Sequence, residues 1–296
     1  MFGEALFDHF ADGTRVLGGA PFNVAWHLQG FKADPLLITA VGTDQEGDAI
    51  LRRMGAWGMG TEGVQSHSSR PTGRVTAHLE DGDPWYDIEA GQAYDAISII
   101  DLPSRSDLQG IQLLYHGTLA LREAESAGTL THLRASLGVP VLVDVNLREP
   151  WWQREGVLEQ LKSATWVKLN REEAALLADT PTDDRRGIEE ATGKLHRLLG
   201  IENLVVTMGE AGAMASTPEG SHWQAATSSE GNGGDPVGAG DAFSAVLALA
   251  IHEGWPLEVT LNRATAFAGE LCGIRGATAE EDGLYSRHLR RWADAS

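Results

Sequence analysis

The sequence contains little cysteine, few basic residues and no long apolar run. Cys272 is the single cysteine among 296 residues. An intrachain disulfide and a cysteine-built metal site are therefore excluded, and we expect a reducing, cytoplasmic environment. No apolar segment approaches the ~20 residues that a membrane-spanning helix requires. The first apolar run carries Glu4 and Asp8 without a basic flank, unlike a secretory signal, so no membrane association is expected.

The scarcity of basic residues makes the chain strongly acidic. There are 23 Lys plus Arg against 42 Asp plus Glu, which gives a formal net charge of −19. Long-range repulsion argues against nucleic-acid partners and anionic membrane surfaces. Adaptation to a saline cytoplasm and a merely well-solvated surface both explain the acidity. An anionic ligand must then be held by a few locally placed donors.

Several common site motifs are also missing. The sequence has no G-x-x-x-x-G-K-[ST] phosphate loop, no H-E-x-x-H pattern and no cluster of His and Cys. No G-x-G-x-x-G follows the first strand-like run, which disfavours a dinucleotide-binding fold. With 42% hydrophobic residues and no internal repeat, residues 1–296 are expected to form a single α/β domain.

The most informative stretch is a glycine-rich segment that runs into an apolar helix. Residues 233–241 read G-G-D-P-V-G-A-G-D. Apolar residues then recur at helical spacing, at Phe243, Val246, Leu247, Ala250 and Ile251. The helix is expected to begin near Gly238 and to stop at Gly254 and Pro256.

The first turn of this helix is suited to an anion. Its backbone N–H groups lack intrahelical partners and lie at the positive end of the helix dipole, and Gly238, Ala239 and Gly240 are small enough for close approach. Asp241 could take a proton from a hydroxyl while these N–H groups stabilise a transferred phosphoryl group. The alternative is that Asp241 only favours the helix start. Together the features predict phosphoryl transfer to an alcohol.

The beginning of the chain offers a second set of ligand-binding candidates. The first apolar run ends in Asp8, and ligands of open α/β sheets bind beyond the carboxyl ends of strands. Gly18 and Gly19 permit close backbone approach, and Asn23 offers a donor and an acceptor from a predicted first helical turn. A solvated strand-end carboxylate is the alternative for Asp8. His27 is expected to be a packed or surface histidine rather than a catalytic one.

Strands and helices alternate along most of the chain. Strand-like runs at 35–42, 113–117 and 139–146 alternate with helical segments at 44–55, 123–137 and 263–274, and further strand-to-helix or strand-to-turn segments lie at 167–173 and 204–212. This alternation predicts an α/β fold with a mostly parallel central sheet flanked by helices. Two strands at 72–79 and 85–88, joined by turn formers, predict a small β appendage or an ordinary surface hairpin.

These motifs resemble those of the pfkB family, the ribokinase-like carbohydrate kinases. D-P-V-G-A-G-D-A-F at 235–243 resembles the family signature D-T-x-G-A-G-D-x-F, with Pro236 in place of the usual Thr. G-E-A-L-F-D at 3–8 and G-G-A-P-F-N-V-A at 18–25 resemble the fructokinase branch. V-G-T-D-Q-E-G, D-V-N-L-R, K-L-N-R-E-E, V-T-M-G-E-A-G and R-G-A resemble weaker family patterns between and after them. The resemblance covers nearly the whole chain.

The resemblance implies a role for each set of residues. Asp241 is implied to be the catalytic base, beside an anion hole formed by Gly238, Ala239 and Gly240. The residues implied to hold the sugar are Asp8, Gly18, Gly19, Asn23 and Arg148, although a surface ion pair would also explain Arg148. The residues implied to border the nucleotide are Lys168, Asn170, Thr207, Gly209 and Gly212.

The resemblance also implies two cation sites. Glu173, with Glu172 as the alternative, is implied to position magnesium-bound water around the phosphates. Asp235 is implied to lie at a monovalent-cation site that would take potassium, where Pro236 removes an N–H and a hydroxyl. Thr265 stands where relatives commonly have Asn, which leaves the nucleotide preference open.

The implied function is ATP-dependent phosphorylation of a sugar hydroxyl, with the primary hydroxyl of fructose as the first candidate. Alternatives are a kinase for 2-keto-3-deoxygluconate or a nucleoside, and a catalytically weak sugar-binding regulator, which the intact Asp241 opposes. Strands within 9–16 and 71–98 are implied to form a lid that covers the sugar, excludes water and joins two copies in a homodimer.

Overall fold

The computed structural model describes residues 1–80, 83–226, 237–274 and 276–294, and within them the chain forms twelve strands and nine helices. The strands are β1 (Leu6–His9), β2 (Arg15–Gly18), β3 (Thr39–Gly42), β4 (Val64–His67), β5 (Gly73–Glu80), β6 (Asp83–Ile88), β7 (Leu114–His116), β8 (Val141–Asp144), β9 (Trp166–Asn170), β10 (Asn203–Thr207), β11 (Ala213–Thr217) and β12 (Gly220–Gln224). The helices are α1 (Ala20–Gly30), α2 (Gln45–Trp57), α3 (Ala124–Leu137), α4 (Arg154–Leu161), α5 (Arg171–Ala178), α6 (Arg185–Leu199), α7 (Ala239–Glu253), α8 (Leu257–Leu271) and α9 (Asp282–Asp294).

The chain divides into two compact units. The first comprises Met1–Gly110, Ala120–Leu137 and Gly276–Ser296, and the second comprises Ile111–Leu119 and Gly138–Arg275. The expectation of a single domain stays a prediction.

The second unit is built on a six-stranded sheet in the order β12-β11-β10-β9-β8-β7. Strands β7, β8, β9 and β10 are parallel, and β11 and β12 are antiparallel additions. The parallel strands are largely buried, as in the apolar run Val141–Val143 of β8, because helices cover the sheet. The predicted fold class, a mostly parallel sheet flanked by helices, is therefore confirmed. The carboxyl ends of β8, β9 and β10 carry Asp144, Asn170 and Thr207.

Helix α7 is a core element of the second unit. All residues from Ala242 to Ala250 are buried, and α8 packs against this helix. Its start and its end at the left-handed Gly254 agree with the sequence prediction. The helix expected at 263–274 runs instead over Leu257–Leu271. The prediction was six residues late at its start because a helix can begin directly after Pro256, whose missing N–H costs nothing in the first turn.

The first unit contains a four-stranded sheet in the order β2-β1-β5-β6 and a separate parallel pair, β3 and β4. The predicted hairpin is confirmed, because β5 and β6 pair antiparallel with Val75 opposite Ile88. Residues 9–16 run from the end of β1 into β2, so both implied lid segments contribute to this one sheet. Their role as a lid stays a prediction.

Helices α1 and α2 enclose the apolar core of the first unit. The core cluster consists of Ala5, Phe22, Ala25, Trp26, Leu37, Val41, Ile50, Met54 and Met59. Asp44 caps α2 by accepting the N–H of Gly47 at 2.8 Å. Among the described residues, no helix combines the length and apolarity needed to cross a bilayer.

Candidate active site

The first turn of α7 has the geometry predicted for an anion cradle. Gly238, the residue before the helix, adopts φ 84° and, being glycine, has no side chain with which to cap this end of the helix. The N–H groups of a first helical turn and the helix dipole both favour a negative charge at this turn. Asp241 lies in the same turn and is half-buried. Because the rest of α7 is packed in the core, the turn is held on a rigid element. The catalytic roles of Gly238, Ala239, Gly240 and Asp241 stay predictions.

A buried ion pair lies close to this turn. Lys168 and Asp144 occupy facing positions on β9 and β8, and Nζ of the lysine lies 3.0 Å from each carboxylate oxygen. Their exposed fractions are 6% and 2%. A Cβ placed on Gly240 would lie 3.4 Å from the Lys168 Nζ, so the ammonium group adjoins the first turn of α7.

The surroundings of Lys168 keep it charged. Burial by itself lowers the pKa of the ammonium, but attraction to Asp144, Glu173 and Asp241 outweighs burial and raises the pKa above its ordinary value. Asp144 also accepts hydrogen bonds from the hydroxyls of Ser244 at 2.6 Å and Tyr115 at 3.3 Å. The sequence patterns assigned Lys168 to the nucleotide but assigned no role to Ser244 or Tyr115. Asp144 and Ser244 are 100 residues apart in the sequence, so local patterns do not reveal that they are in contact.

Asn170 and Glu173 form a reciprocal cap at the start of α5. The N–H of Glu173 donates to the Asn170 side chain and the N–H of Asn170 donates to Glu173 Oε2, both at 2.8 Å. Glu173 Oε1 accepts the N–H of Leu147 at 2.7 Å, which joins the segment after β8 to α5. Glu173 is buried and Glu172 is exposed, so the spacing argument chose the inward-facing acid. Burial raises the pKa of Glu173, against the lowering effect of the Asn170 and Leu147 N–H groups.

These contacts do not fit a magnesium site built by the protein alone. Both oxygens of Glu173 already accept a backbone N–H, and the described residues contain no group of three or more His, Cys, Asp or Glu placed to hold a metal ion. The water-mediated magnesium role of Glu173 stays a prediction. Asp235, the residue implied for a monovalent cation, and Pro236 lie outside the described residues.

The three residues implied to border the nucleotide after β10 form a tight turn. Thr207 ends β10, and a short 3-10 helix follows over Gly209–Ala211. Gly212 has φ 97°, and a Cβ there would lie 2.0 Å from the Gln224 carbonyl oxygen, so only glycine allows this approach to β12. The observed role of Gly212 is therefore to close the turn. Contact of this turn with a nucleotide stays a prediction.

Arg148 lies four residues beyond Asp144 at the same edge of the sheet and is exposed. Its neighbour Asn146 adopts φ 43°, a left-handed conformation that Asn tolerates better than most residues. The exposure leaves the guanidinium accessible to an anionic ligand.

In the first unit, the sugar-binding candidates cluster where β1, β2 and α1 meet. Asp8 is half-buried in β1, and a Cβ on Gly18 would lie 3.2 Å from its Oδ2, so Gly18 keeps space beside the carboxylate. Gly19 precedes α1 with φ 104°, and Asn23 is buried in the first turn with its N–H donated to the Gly19 carbonyl at 2.8 Å. The structure thus brings Asp8, Gly18, Gly19 and Asn23 into one region of this unit.

His27 has a packing role, as expected. It is fully buried in α1, and its ring nitrogens lie 2.9 Å from the Tyr285 hydroxyl and 3.1 Å from the Ala277 carbonyl oxygen. Burial lowers its pKa to about 4, against the raising effect of the Ala277 bond, so the ring is neutral at physiological pH.

The chain is similar to known proteins from several organisms at low sequence identity. The chain is 28% identical over 275 residues to the ribokinase of Arabidopsis thaliana, covering 90% of this chain and 69% of that protein. It is 24% identical over 271 residues to the bifunctional protein HldE of Trichlorobacter lovleyi, covering 86% of this chain and 51% of HldE. The chain spans about half the length of the two HldE proteins first matched, that one and the one from Methylobacillus flagellatus.

A solved structure shares the fold. The fructokinase from Vibrio cholerae O395, crystallised with fructose, ADP and a calcium ion, superposes with a TM-score of 0.79 at 23% identity, covering 97% of each chain. The model of the pfkB family carbohydrate kinases matches residues 6–282. Because this match takes in most of the chain, the protein belongs to the pfkB family of carbohydrate kinases.

Proposed function

We propose that this protein is an ATP-dependent sugar kinase in which the first turn of α7 holds the γ-phosphoryl group and Asp241 accepts the proton of a sugar hydroxyl. The observation that carries the proposal is the start of α7: the helix follows a left-handed glycine, which has no capping side chain, and carries a carboxylate in its first turn. Membership of the pfkB family supports the same chemistry.

The proposed reaction needs one proton acceptor and one set of charge stabilisers. Asp241 takes the hydroxyl proton as the sugar oxygen forms its bond to the γ-phosphorus. The bond from that phosphorus to the β,γ-bridging oxygen breaks, and its electron pair leaves with ADP. The N–H groups of the turn oppose the negative charge on the transferred group, and Lys168 adds a positive charge beside Gly240. General-base catalysis of this kind contributes about 10² to 10⁴-fold in rate.

The proposed phosphoryl donor is ATP accompanied by magnesium. Magnesium prefers to keep several waters and to bind through substrate phosphates, so it would be delivered with the nucleotide. Potassium is proposed to stimulate turnover, because the sequence around Asp235 resembles the monovalent-cation site of the family.

Fructose is the first candidate substrate. The half-buried carboxylate of Asp8, with the space left by Gly18, suits hydrogen bonds from adjacent sugar hydroxyls. The fructokinase of Vibrio cholerae shares the fold, but the Arabidopsis ribokinase and HldE are comparably similar relatives. A broad sugar panel is therefore needed.

We extend the proposal to a homodimer formed through the four-stranded sheet of the first unit. Strand β6 is an edge of this sheet and exposes Trp85 and Tyr86, with exposed fractions of 46% and 45%, and Phe10, which directly follows β1, is 40% exposed. A second copy would cover both the edge and the rings. Light scattering at micromolar concentration should give twice the chain mass, and a monomer with and without sugar would contradict the dimer.

A coupled assay for ADP release tests the proposed function. The panel is fructose, ribose, a heptose, 2-keto-3-deoxygluconate and adenosine, each with ATP and magnesium and with an ATP-only control. We expect sugar-dependent ADP release, fastest with fructose. If only adenosine or 2-keto-3-deoxygluconate were phosphorylated, that compound would replace fructose as the proposed substrate. If a sugar bound but no acceptor increased ADP release, the protein would be a sugar-binding regulator instead of a kinase.

A further inference from the structure

The Asp144 carboxylate joins three elements of the second unit at one point. It ends β8, pairs with Lys168 on β9, and accepts the hydroxyl of Ser244 on α7 at 2.6 Å. The Lys168 distances to its two oxygens are equal, 3.0 Å each, so the ammonium sits symmetrically on the carboxylate. Ser244 is fully buried. The carboxylate is thus surrounded by partners inside the protein.

The position of Ser244 connects this carboxylate to the proposed catalytic turn. Ser244 follows Asp241 by three residues and Gly240 by four, so its side chain lies on the same face of α7 one turn further on. Its hydroxyl also lies 2.9 Å from the Gly240 carbonyl oxygen. A hydroxyl has one proton, and the shorter, charge-assisted contact to Asp144 is the one that receives it. Helix α7 is therefore tied to the end of β8 one turn beyond its first turn.

The same carboxylate determines where the Lys168 charge lies. A buried ammonium needs an opposite charge, and Asp144 supplies it with both oxygens. The ammonium adjoins Gly240, whose N–H belongs to the proposed anion hole. Moving or neutralising Asp144 would shift both the lysine charge and the turn relative to each other.

We propose that Asp144 is a positioning residue for phosphoryl transfer: through Ser244 it sets the first turn of α7, and through Lys168 it places a positive charge beside that turn. This inference rests on the proposed kinase function and adds residues to the same site. Asp144 and Ser244 would raise the rate of the transfer step without binding the sugar themselves. A purely structural ion pair would instead affect stability alone.

Ser244→Ala is the decisive variant, because it removes one hydroxyl and keeps the Lys168–Asp144 pair. The matched control is Thr192→Val, which removes a buried helical hydroxyl of the same unit that bonds to the Ile188 carbonyl at 2.9 Å. We expect Ser244→Ala to lower kcat about tenfold with the KM for sugar changed less than about twofold, since small displacements at a reacting centre cost rate more than binding. Thr192→Val should lower the free energy of unfolding about as much as Ser244→Ala does and should leave kcat unchanged.

Asp144→Asn sharpens the test by removing the carboxylate charge that contacts Lys168. Where this variant folds, we expect kcat to fall about 100-fold or more, and Ser244→Ala to have little further effect in the double variant because both act through one contact. A Ser244→Ala enzyme with kcat within about twofold of the wild type and the same loss of stability as the control would overturn the positioning role. Absence of turnover in the wild type would instead contradict the proposed function itself, so the two failures are distinguishable.

Discussion

Helices α1 and α7 both begin after a glycine with positive φ and differ in what surrounds their first turns. Each starts after a glycine with positive φ, 104° at Gly19 and 84° at Gly238, without a side-chain cap, and each is buried along most of its length. The first turn of α7 carries an acidic residue, and that of α1 carries none. Two helix starts that both follow a positive-φ glycine therefore differ in the side chains beside them, and those side chains determine which ligand each start suits.

Charge is also handled differently beside the two helices. On α1, His27 is buried and kept neutral, because burial lowers its pKa to about 4. Beside α7, Lys168 is equally buried but kept charged by Asp144. Burying a side chain costs less free energy when the side chain is neutral, which fits a residue that only packs in the core. A buried positive charge beside a helix start can instead stabilise an anion.

The largest effect is expected for Asp241, and it would distinguish this acid from acidic residues that only favour the start of a helix. Asp241→Asn keeps the shape and helix-start preference of the residue but cannot accept the hydroxyl proton. We expect kcat to fall by about 10² to 10⁴-fold with the sugar affinity retained. Asp48→Asn, which removes an exposed acid from the first turn of α2, is the control and should leave kcat unchanged. More than about a tenth of wild-type turnover in Asp241→Asn would exclude Asp241 as the base.

The two initiating glycines should differ in the cost of a methyl group. At Gly19 a Cβ would lie 2.6 Å from the Glu4 carbonyl oxygen, and the φ of 104° is one that L side chains rarely adopt. We expect Gly19→Ala to lower the free energy of unfolding by at least about 2 kcal/mol. Gly238→Ala should cost about 1 to 2 kcal/mol from the left-handed conformation. Urea titrations of both variants would decide, and equal losses would refute the distinction between the two starts.

A smaller effect is expected from the strand-end carboxylate of the first unit. Asp8→Ala should raise the KM for sugar about 10 to 100-fold, because a hydrogen bond to a charged group contributes about 1.5 to 3 kcal/mol. The KM for ATP should change little. Asp101→Ala removes an exposed carboxylate of the same unit and serves as the control. Unchanged sugar binding by calorimetry would remove Asp8 from the site.

The smallest effect concerns His27 and appears as a pH dependence of stability. The unfolded chain takes up a proton at His27 below its ordinary pKa of 6.5, whereas the folded protein does so only near pH 4. The histidine therefore stabilises the fold above pH 6.5, and this contribution is lost as the pH falls toward 4. Between pH 7 and pH 5 the loss is about 2 kcal/mol, at about 1.4 kcal/mol per pKa unit.

A variant isolates this contribution. The amino group of Met1, whose pKa burial lowers to about 5, titrates in the same range, so the wild type alone would not identify His27. His27→Gln keeps a polar side chain but does not titrate, and its free energy of unfolding should depend less on pH by about that amount. The same pH dependence in both proteins would show that His27 is not responsible.

Local patterns predicted the elements that build the site. The glycines before α1 and α7, the hairpin of β5 and β6, and the polar residues at the ends of the parallel strands all follow from spacing and from turn chemistry. Helices α4, α6 and α9 and strands β4, β11 and β12 were not singled out. Helix α6 is strongly amphipathic, with Ile188, Ala191 and Leu195 buried at helical spacing, so its apolar stripe was a readable signal that the sequence-based prediction missed.

Contacts between distant residues were beyond such patterns. Glu173 could be placed near phosphates by its motif, but its hydrogen bond to the Leu147 N–H depends on the arrangement of β8 and α5. The link from Ser244 to Asp144 is of the same kind. Helical spacing assigns Ser244 only to a buried face, and the partner on that face emerges from the packing of the sheet.

The central claim is that the first turn of α7 directs the γ-phosphoryl group to a sugar hydroxyl. Identifying the products that are formed from ATP and sugar is the most direct test of this claim. Wild-type protein and Asp241→Asn would be incubated with ATP, magnesium and the fastest sugar of the panel, and ADP, inorganic phosphate and sugar phosphate would be followed by ³¹P NMR. We expect the wild type to form one sugar phosphate for each ADP. Asp241→Asn should form the sugar phosphate at least about 100-fold more slowly. ADP accompanied by inorganic phosphate instead of a sugar phosphate, or equal rates of sugar phosphate formation in the two proteins, would contradict it.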